Sequence, residues 1–192
     1  TGAIITVDSQ PVQIKVAGAS SVALVVTGTA IFGGQKMFIA NSLIADNGSA
    51  SVIQTMGELR LYSSTVTHNG GGINCTGPTP SWIANSIVWA NTGIGVVGAD
   101  IVYSCIEGGA SGAGNIDVDP MFVDPLGMNY RLLADSPCFN AGKVGELMQD
   151  ELDADGDGDV LELTPLDLQG NPRVMGGHVD MGAYEIVVED PP

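Results

Sequence analysis

The chain has 192 residues, of which 44% are apolar and 15% charged, and its formal net charge is −16. That balance excludes a nucleic-acid binder, which needs clustered Lys and Arg, and disfavours attachment to anionic membranes. With 27 glycines and strand-like apolar clusters, the composition fits one turn-rich all-β domain and not a disordered chain.

Residues 1–36 are apolar and strand-like without a recognisable phrase. Val12, Ile14 and Val16 alternate, and Val22 to Val26 is a continuous buried-type run. The chain opens at Thr1 without a Met, as a processed form or an excised piece would. A solenoid end exposes unpaired backbone and needs a cap or a partner. Two readings stay open for this end: earlier coils or these first strands cover it, or it stacks on another subunit.

From Ile39 one phrase recurs. It reads Ile39-Ala-Asn-Ser-Leu-Ile-Ala-Asp-Asn-Gly48, then Leu61-Tyr-Ser-Ser-Thr-Val-Thr-His-Asn-Gly70, then Ile83-Ala-Asn-Ser-Ile-Val-Trp-Ala-Asn-Thr92. A looser copy follows at Ile101-Val-Tyr-Ser-Cys-Ile-Glu-Gly108. Ser42, Ser64 and Ser86 are 22 residues apart, as are Asn47, Asn69 and Asn91. A fixed period of this size marks a solenoid. The β-branched pairs inside the phrase, closed by Asn or Gly, are strand and turn chemistry, and no helical stripe is present. The expectation is a right-handed parallel β-helix of about 22 residues per coil over residues 1–112. Asn47, Asn69 and Asn91 are expected to stack as a hydrogen-bonded ladder.

After Gly108 the rhythm stops. Residues 113–186 read as a loop-rich C-terminal cap, and 187–192 as a tail. Its phrases are Asp119-Pro-Met-Phe122, Tyr130-Arg-Leu132, Ser136-Pro-Cys-Phe-Asn-Ala-Gly142, Asp167-Leu-Gln-Gly-Asn-Pro-Arg173 and Asp180-Met-Gly-Ala-Tyr-Glu185. With Asn85-Ser-Ile-Val-Trp89 and Tyr103-Ser-Cys-Ile-Glu-Gly-Gly109 before them, these phrases resemble the C-terminal region of bacterial secreted right-handed β-helix proteins. The superfamily is the pectate-lyase-like one, and the closer resemblance is to proteins carrying a choice-of-anchor Q domain. The resemblance covers about residues 83–186. It implies a secreted or cell-surface β-helix and no particular reaction.

Of the 22 acidic residues, 19 follow residue 96. Asp153, Asp155, Asp157 and Asp159, alternating with Ala154, Gly156 and Gly158, place oxygen ligands as a Ca²⁺ loop does. The position that should hold a bidentate acid is Thr164, so Glu162 and Asp167 are the nearest substitutes. A structural Ca²⁺ on Asp153, Asp155, Asp157, Asp159 and Glu162 is expected, against the plainer reading of a solvated acidic turn.

Catalytic groups are scarce. Beyond residue 36 the coils carry Asp46, Glu58, Asp100 and Glu107 as their only acids, from which any glycosidase pair would have to come. Arg131 and Arg173 sit in cap phrases and are expected to anchor carboxylates there. His68 and His178 lack a companion nucleophile or third ligand. Trp89 and Tyr62 are the candidates for a sugar-stacking strip, with burial in the core as the competing reading. Asn47-Gly-Ser49 and Asn74-Cys-Thr76 match the N-glycosylation pattern. Cys105 and Cys138 are the candidate disulfide between last coil and cap, which leaves Cys75 over, although spacing alone leaves the connectivity open.

Two functions follow. The first is a non-catalytic extracellular structural solenoid, stabilised by calcium, adhesive or assembling end to end with copies of itself or neighbouring surface proteins. The second is a carbohydrate-active β-helix that binds a polysaccharide, or forms the C-terminal part of a lyase or hydrolase.

Overall fold

The computed structural model describes residues 31–33, 36–48, 51–93, 95–150 and 157–187. The N-terminal strands expected before residue 31, and Asp153 and Asp155 of the acidic loop, lie outside these residues.

Fourteen strands are present among the described residues. β1 (Ile31–Gly33), β2 (Met37–Ala40) and β3 (Leu43–Ala45) form one layer. β4 (Ile53–Thr55), β5 (Leu59–Tyr62) and β6 (Thr65–Thr67) form the next, and β7 (Ile73–Cys75), β8 (Ser81–Ala84) and β9 (Ile87–Trp89) the third. β10 (Val96–Val97), β11 (Ala99–Val102) and β12 (Cys105–Ile106) complete the stack. Equivalent strands pair in parallel, giving three four-stranded sheets, β1-β4-β7-β10, β2-β5-β8-β11 and β3-β6-β9-β12. The chain is a parallel β-solenoid of about three turns. The register Leu43↔Thr65↔Ile87 shows the 22-residue step directly.

Alternation decides what fills the lumen. Leu59 and Leu61 of β5, Ile73 of β7 and Ile83 of β8 are fully buried, with Ile44, Val66, Val88 and Ile106 facing them from the third sheet. Stacking puts like on like, so each branched side chain meets its copy one layer away. Burying eleven such residues supplies the main stabilisation, at about 1.5–3 kcal/mol per large aliphatic side chain.

The corners explain the polar half of the phrase. Asn41, Ser63, Asn85 and Tyr103 all have positive φ, between 45° and 50° for the middle two, and Asp46, His68 and Ala90 repeat this on the other side of the strand. Each strand of the third sheet is thus bracketed by two left-handed corners per coil, a conformation Asn and Asp adopt at least cost.

Residues 113–187 do more than close an end. Ala113 to Ile116 first add one more rung, with Tyr103 N donating to Ala113 O, Ile106 N to Ile116 O and Ile116 N to Ser104 O. The stacking therefore runs a few residues past the boundary at 112 that the repeat alone suggests. The segment then folds back along the flank of the solenoid, over the outer face of the third sheet. It includes an antiparallel hairpin, β13 (Phe122–Asp124) and β14 (Asn129–Leu132), joined through a 3₁₀ turn at Pro125–Gly127. Because the segment covers it, the third sheet is buried on both faces. Leu43, Ala45, Ile87 and Cys105 point away from the lumen, into a second core with Phe122, Tyr130, Leu132, Cys138 and Met181. Two-sided burial is why β3 and β6 read as continuous buried runs.

Candidate functional site: the seam between coils and fold-back segment

Two side-chain ladders run along the edge of the third sheet. In the first, Asn69 Oδ1 accepts from Asn47 N at 3.0 Å and from Asn47 Nδ2 at 2.8 Å. Asn91 Oδ1 accepts from Asn69 N at 3.0 Å and from Asn69 Nδ2 at 2.9 Å. Asn69 Nδ2 also donates to Ile44 O, and Asn91 Nδ2 to Val66 O, each 2.9 Å away. Asn47 and Asn69 are buried.

The second ladder is made of serines. Ser42 N donates to Ser64 Oγ, Ser64 N to Ser86 Oγ and Ser86 N to Ser104 Oγ, over 3.1–3.3 Å. Each hydroxyl then donates back to a carbonyl two residues earlier, as Ser64 does to Tyr62 O at 2.7 Å. Asn115 continues the row, its Oδ1 accepting from Ser104 N at 3.1 Å. The even serine spacing carried this signal. What the spacing did not reveal is that an asparagine takes over beyond Ser104.

Beside the first ladder lies a shallow groove of about 400 Å³, lined by Asp46, Asn47, His68, Asn69, Ala90 and Thr92 among others. The hairpin stands next to it. Tyr130 O–H donates to both carboxylate oxygens of Asp46, at 2.9 and 2.8 Å. The His68 ring lies 5.2 Å from that of Tyr130 and 6.5 Å from that of Phe122, and its Nδ1 is 2.8 Å from Thr67 Oγ1. Burial, then the hydrogen bond to Asp46 and its charge, push the Tyr130 phenol well above its usual range. The phenol therefore stays protonated and acts as a donor. Asp46 is the groove's single acidic lining residue, whereas glycoside hydrolysis calls for two carboxyl groups.

The other end of the seam is a charged clamp. Arg173 has no exposed surface. Its Nη1 donates to Glu185 Oε1 at 2.8 Å and to Gly182 O at 3.0 Å, and its Nη2 donates to Ala183 O at 3.0 Å and to Asn41 Oδ1 at 2.6 Å. Asn41 Nδ2 answers by donating to Leu166 O at 2.6 Å. Around it the acids serve the main chain. Asp180 accepts from Asn140 N and Ile186 N, both at 2.7 Å, and Asp167 Oδ2 accepts from Glu185 N at 2.8 Å. Burial pushes Asp180 upward and Glu185 up to about 7, the latter against the pull of Arg173. Asn85 adds a third fastening, exchanging two hydrogen bonds with the main chain of Lys143.

The remaining sequence candidates fall as follows. Arg173 contacts its carboxylate through Nη1 alone, its two Nη atoms also donate to carbonyl oxygens and its buried Nε has no partner, while Arg131 is exposed and donates to Asn129 Oδ1, not to a carboxylate. Trp89 packs at the margin of the second core, and Tyr62 lies on β5 in a different sheet, so the two form no common strip. In the acidic loop, Asp157 Oδ1 accepts from Asp159 N and Asp159 Oδ1 from Leu161 N, two turns at the surface. Glu162 contributes its carbonyl, accepting from Asp150 N at 2.8 Å. Among the described residues, no three His, Cys, Asp or Glu side chains group as a metal site. Asn47 of the first glycosylation pattern is buried in the ladder, whereas Asn74 is a half-buried residue of β7. His178 is exposed in a turn with Met175.

No family model matches the sequence, and comparison with curated proteins and with solved structures returns no match.

Proposed function

We propose that this chain is a structural module, a stiff β-solenoid for spacing or attachment outside the cell, with no catalytic centre of its own. The observation that supports it most is the clamp at Arg173. The buried charges of the fold-back segment hold chain to chain, joining Gly182, Ala183 and Glu185 to Asn41 of the first described layer. The resemblance of residues 83–186 to secreted choice-of-anchor Q proteins supports a place at the cell surface or outside it. Calcium belongs to the same proposal, held by Asp153, Asp155, Asp157, Asp159 and Glu162 to stiffen the insertion, and end-to-end association with copies of itself would extend the rod.

A panel of acidic and neutral polysaccharides, assayed for new reducing ends and for unsaturated products, tests the absence of catalysis. Turnover that disappears in Asp46→Asn would overturn the reading. Thermal melting with Ca²⁺ and with chelator tests the metal, and coincident curves would remove it. The groove beside Asp46, His68 and Thr92 favours one second reading, saccharide binding without cleavage, for which a glycan array with Asp46→Asn and His68→Ala as controls decides.

A further inference from the structure

The three cysteines are sorted by the fold into two compartments. Cys75 belongs to the lumen core of the solenoid, with Ile53, Ile73 and Val88. Cys105 and Cys138 belong to the second core, between the third sheet and the fold-back segment, and neither has exposed surface. The last two share that core, where each thiol acts on the other, drawing Cys105 below the usual thiol range and pushing Cys138 above it.

Both backbones are already fixed. Cys105 pairs in parallel with Ile116, its N donates to Ser86 O, and its thiol donates to Val118 O at 3.1 Å. Cys138 N donates to Ser136 Oγ at 3.1 Å, and Cys138 O accepts from Met181 N at 3.0 Å. The main chain at both residues is thus held by its own hydrogen bonds, and closing the bridge replaces the hydrogen bond of the Cys105 thiol to Val118 O.

We infer that Cys105 and Cys138 form a disulfide that latches the fold-back segment to the last layer of the solenoid, and that Cys75 remains a free thiol. The oxidant is an external disulfide, of small-molecule or protein origin. The Cys105 thiolate attacks one of its sulfurs, releasing one thiol and leaving a mixed disulfide on Cys105. The Cys138 thiolate then attacks the Cys105 sulfur, forming the internal bond and releasing the second thiol. Two protein thiols are oxidised and the external disulfide is reduced to two thiols, so atoms and electrons balance. With both sulfurs buried, the exchange takes place before the segment docks, and docking then shields the bond from reductants. The closed loop encloses the hairpin, so the latch restrains the stretch of chain between last layer and clamp.

The test is a cysteine map of the full chain, refolded with mixed reduced and oxidised glutathione or with reductant alone. After alkylation in denaturant and non-reducing digestion, the glutathione sample is expected to yield one cross-linked pair, Cys105 with Cys138, and an alkylated Cys75. Three alkylated cysteines, or any bridge through Cys75, would overturn the proposal. Hydrogen exchange reads the latch itself. The amides of residues 136–142 and 179–186 are expected to exchange about tenfold more slowly in the oxidised protein than in the reduced one. Equal rates overturn it. Cys75→Ser is expected to keep the bridge and Cys138→Ser to exchange like reduced wild type. The oxidised and reduced wild-type comparison decides alone if a variant does not fold.

Discussion

Arg173 and Asn41 lie 132 residues apart in the chain, and Arg173 Nη2 donates to Asn41 Oδ1 at 2.6 Å. That single contact joins the end of the fold-back segment to a left-handed corner of the first described layer. The guanidinium carrying it has no exposed surface and is balanced by Glu185.

Removing Arg173 therefore strands a buried carboxylate. Arg173→Ala is expected to cost about 3–5 kcal/mol in urea unfolding, because Glu185 loses its charge partner while staying desolvated. The double variant Arg173→Met with Glu185→Leu should recover a large part of that loss. A double variant as unstable as Arg173→Ala would mean that the hydrogen bonds to Gly182, Ala183 and Asn41 matter more than the charge balance.

Glu185 also sets a pH dependence. Its folded-state pKa is raised to about 7, chiefly by burial, so the folded protein holds that proton more tightly than the unfolded chain does. The contribution favours folding below the unfolded carboxyl range and is lost as pH rises toward 7, on the order of 3 kcal/mol across the window. Asp180, raised by burial as well, acts in the same direction. Melting temperatures from pH 4 to 8 should fall more steeply for wild type than for Glu185→Gln, whose side chain does not titrate. Parallel curves would assign the pH response to other groups.

The asparagine ladder is expected to be graded by burial. Asn69→Asp removes the donors to Ile44 O and Asn91 Oδ1 and sets a carboxylate against both oxygens. A loss of about 2–4 kcal/mol is expected, from unmet buried acceptors and added repulsion. Asn91→Asp, at the less buried rung, should cost less. The two urea midpoints, compared at equal slope, give the ranking, and a reversed order would contradict it.

Gly182 reports on docking from the seam itself, its N donating to Asn85 O at 2.8 Å. Its φ is +100°, and a Cβ there would stand 2.8 Å from Ile87 Cδ1 and 2.8 Å from Thr65 Oγ1. Gly182→Ala should weaken the seat of the segment by about 1–3 kcal/mol. Hydrogen exchange should quicken in residues 166–186 and stay unchanged at Leu61, Val66 and Ile83. Uniform quickening would show that the coils depend on the segment for their own integrity.

The solenoid was legible because stacking forces repetition. A side chain at Asn69 must satisfy the same partners as one at Asn47, so the 22-residue step is written in the chain. The fold-back was not legible, since a contact such as Ala183 N to Thr65 Oγ1 occurs once and leaves no period. For the same reason the sequence leaves Trp89 open between an exposed strip and the core, and only the structure shows that its face of the third sheet is covered. Cys105 and Cys138 were suggested by their places in coil and cap, while the exclusion of Cys75 needed the two separate cores.

A stack of coils held only by neighbours would unfold piecemeal from its ends, one layer at a time. The fold-back segment changes that arithmetic. By touching Cys105, Asn85, Thr65 and Asn41 in succession, it makes every described layer a neighbour of the same strip of chain. Losing a terminal layer then means peeling the strip, and peeling the strip bares the outer face of all the others. The protein should behave as an all-or-none unit in denaturant, with a single transition where its repeats alone would show a gradual one.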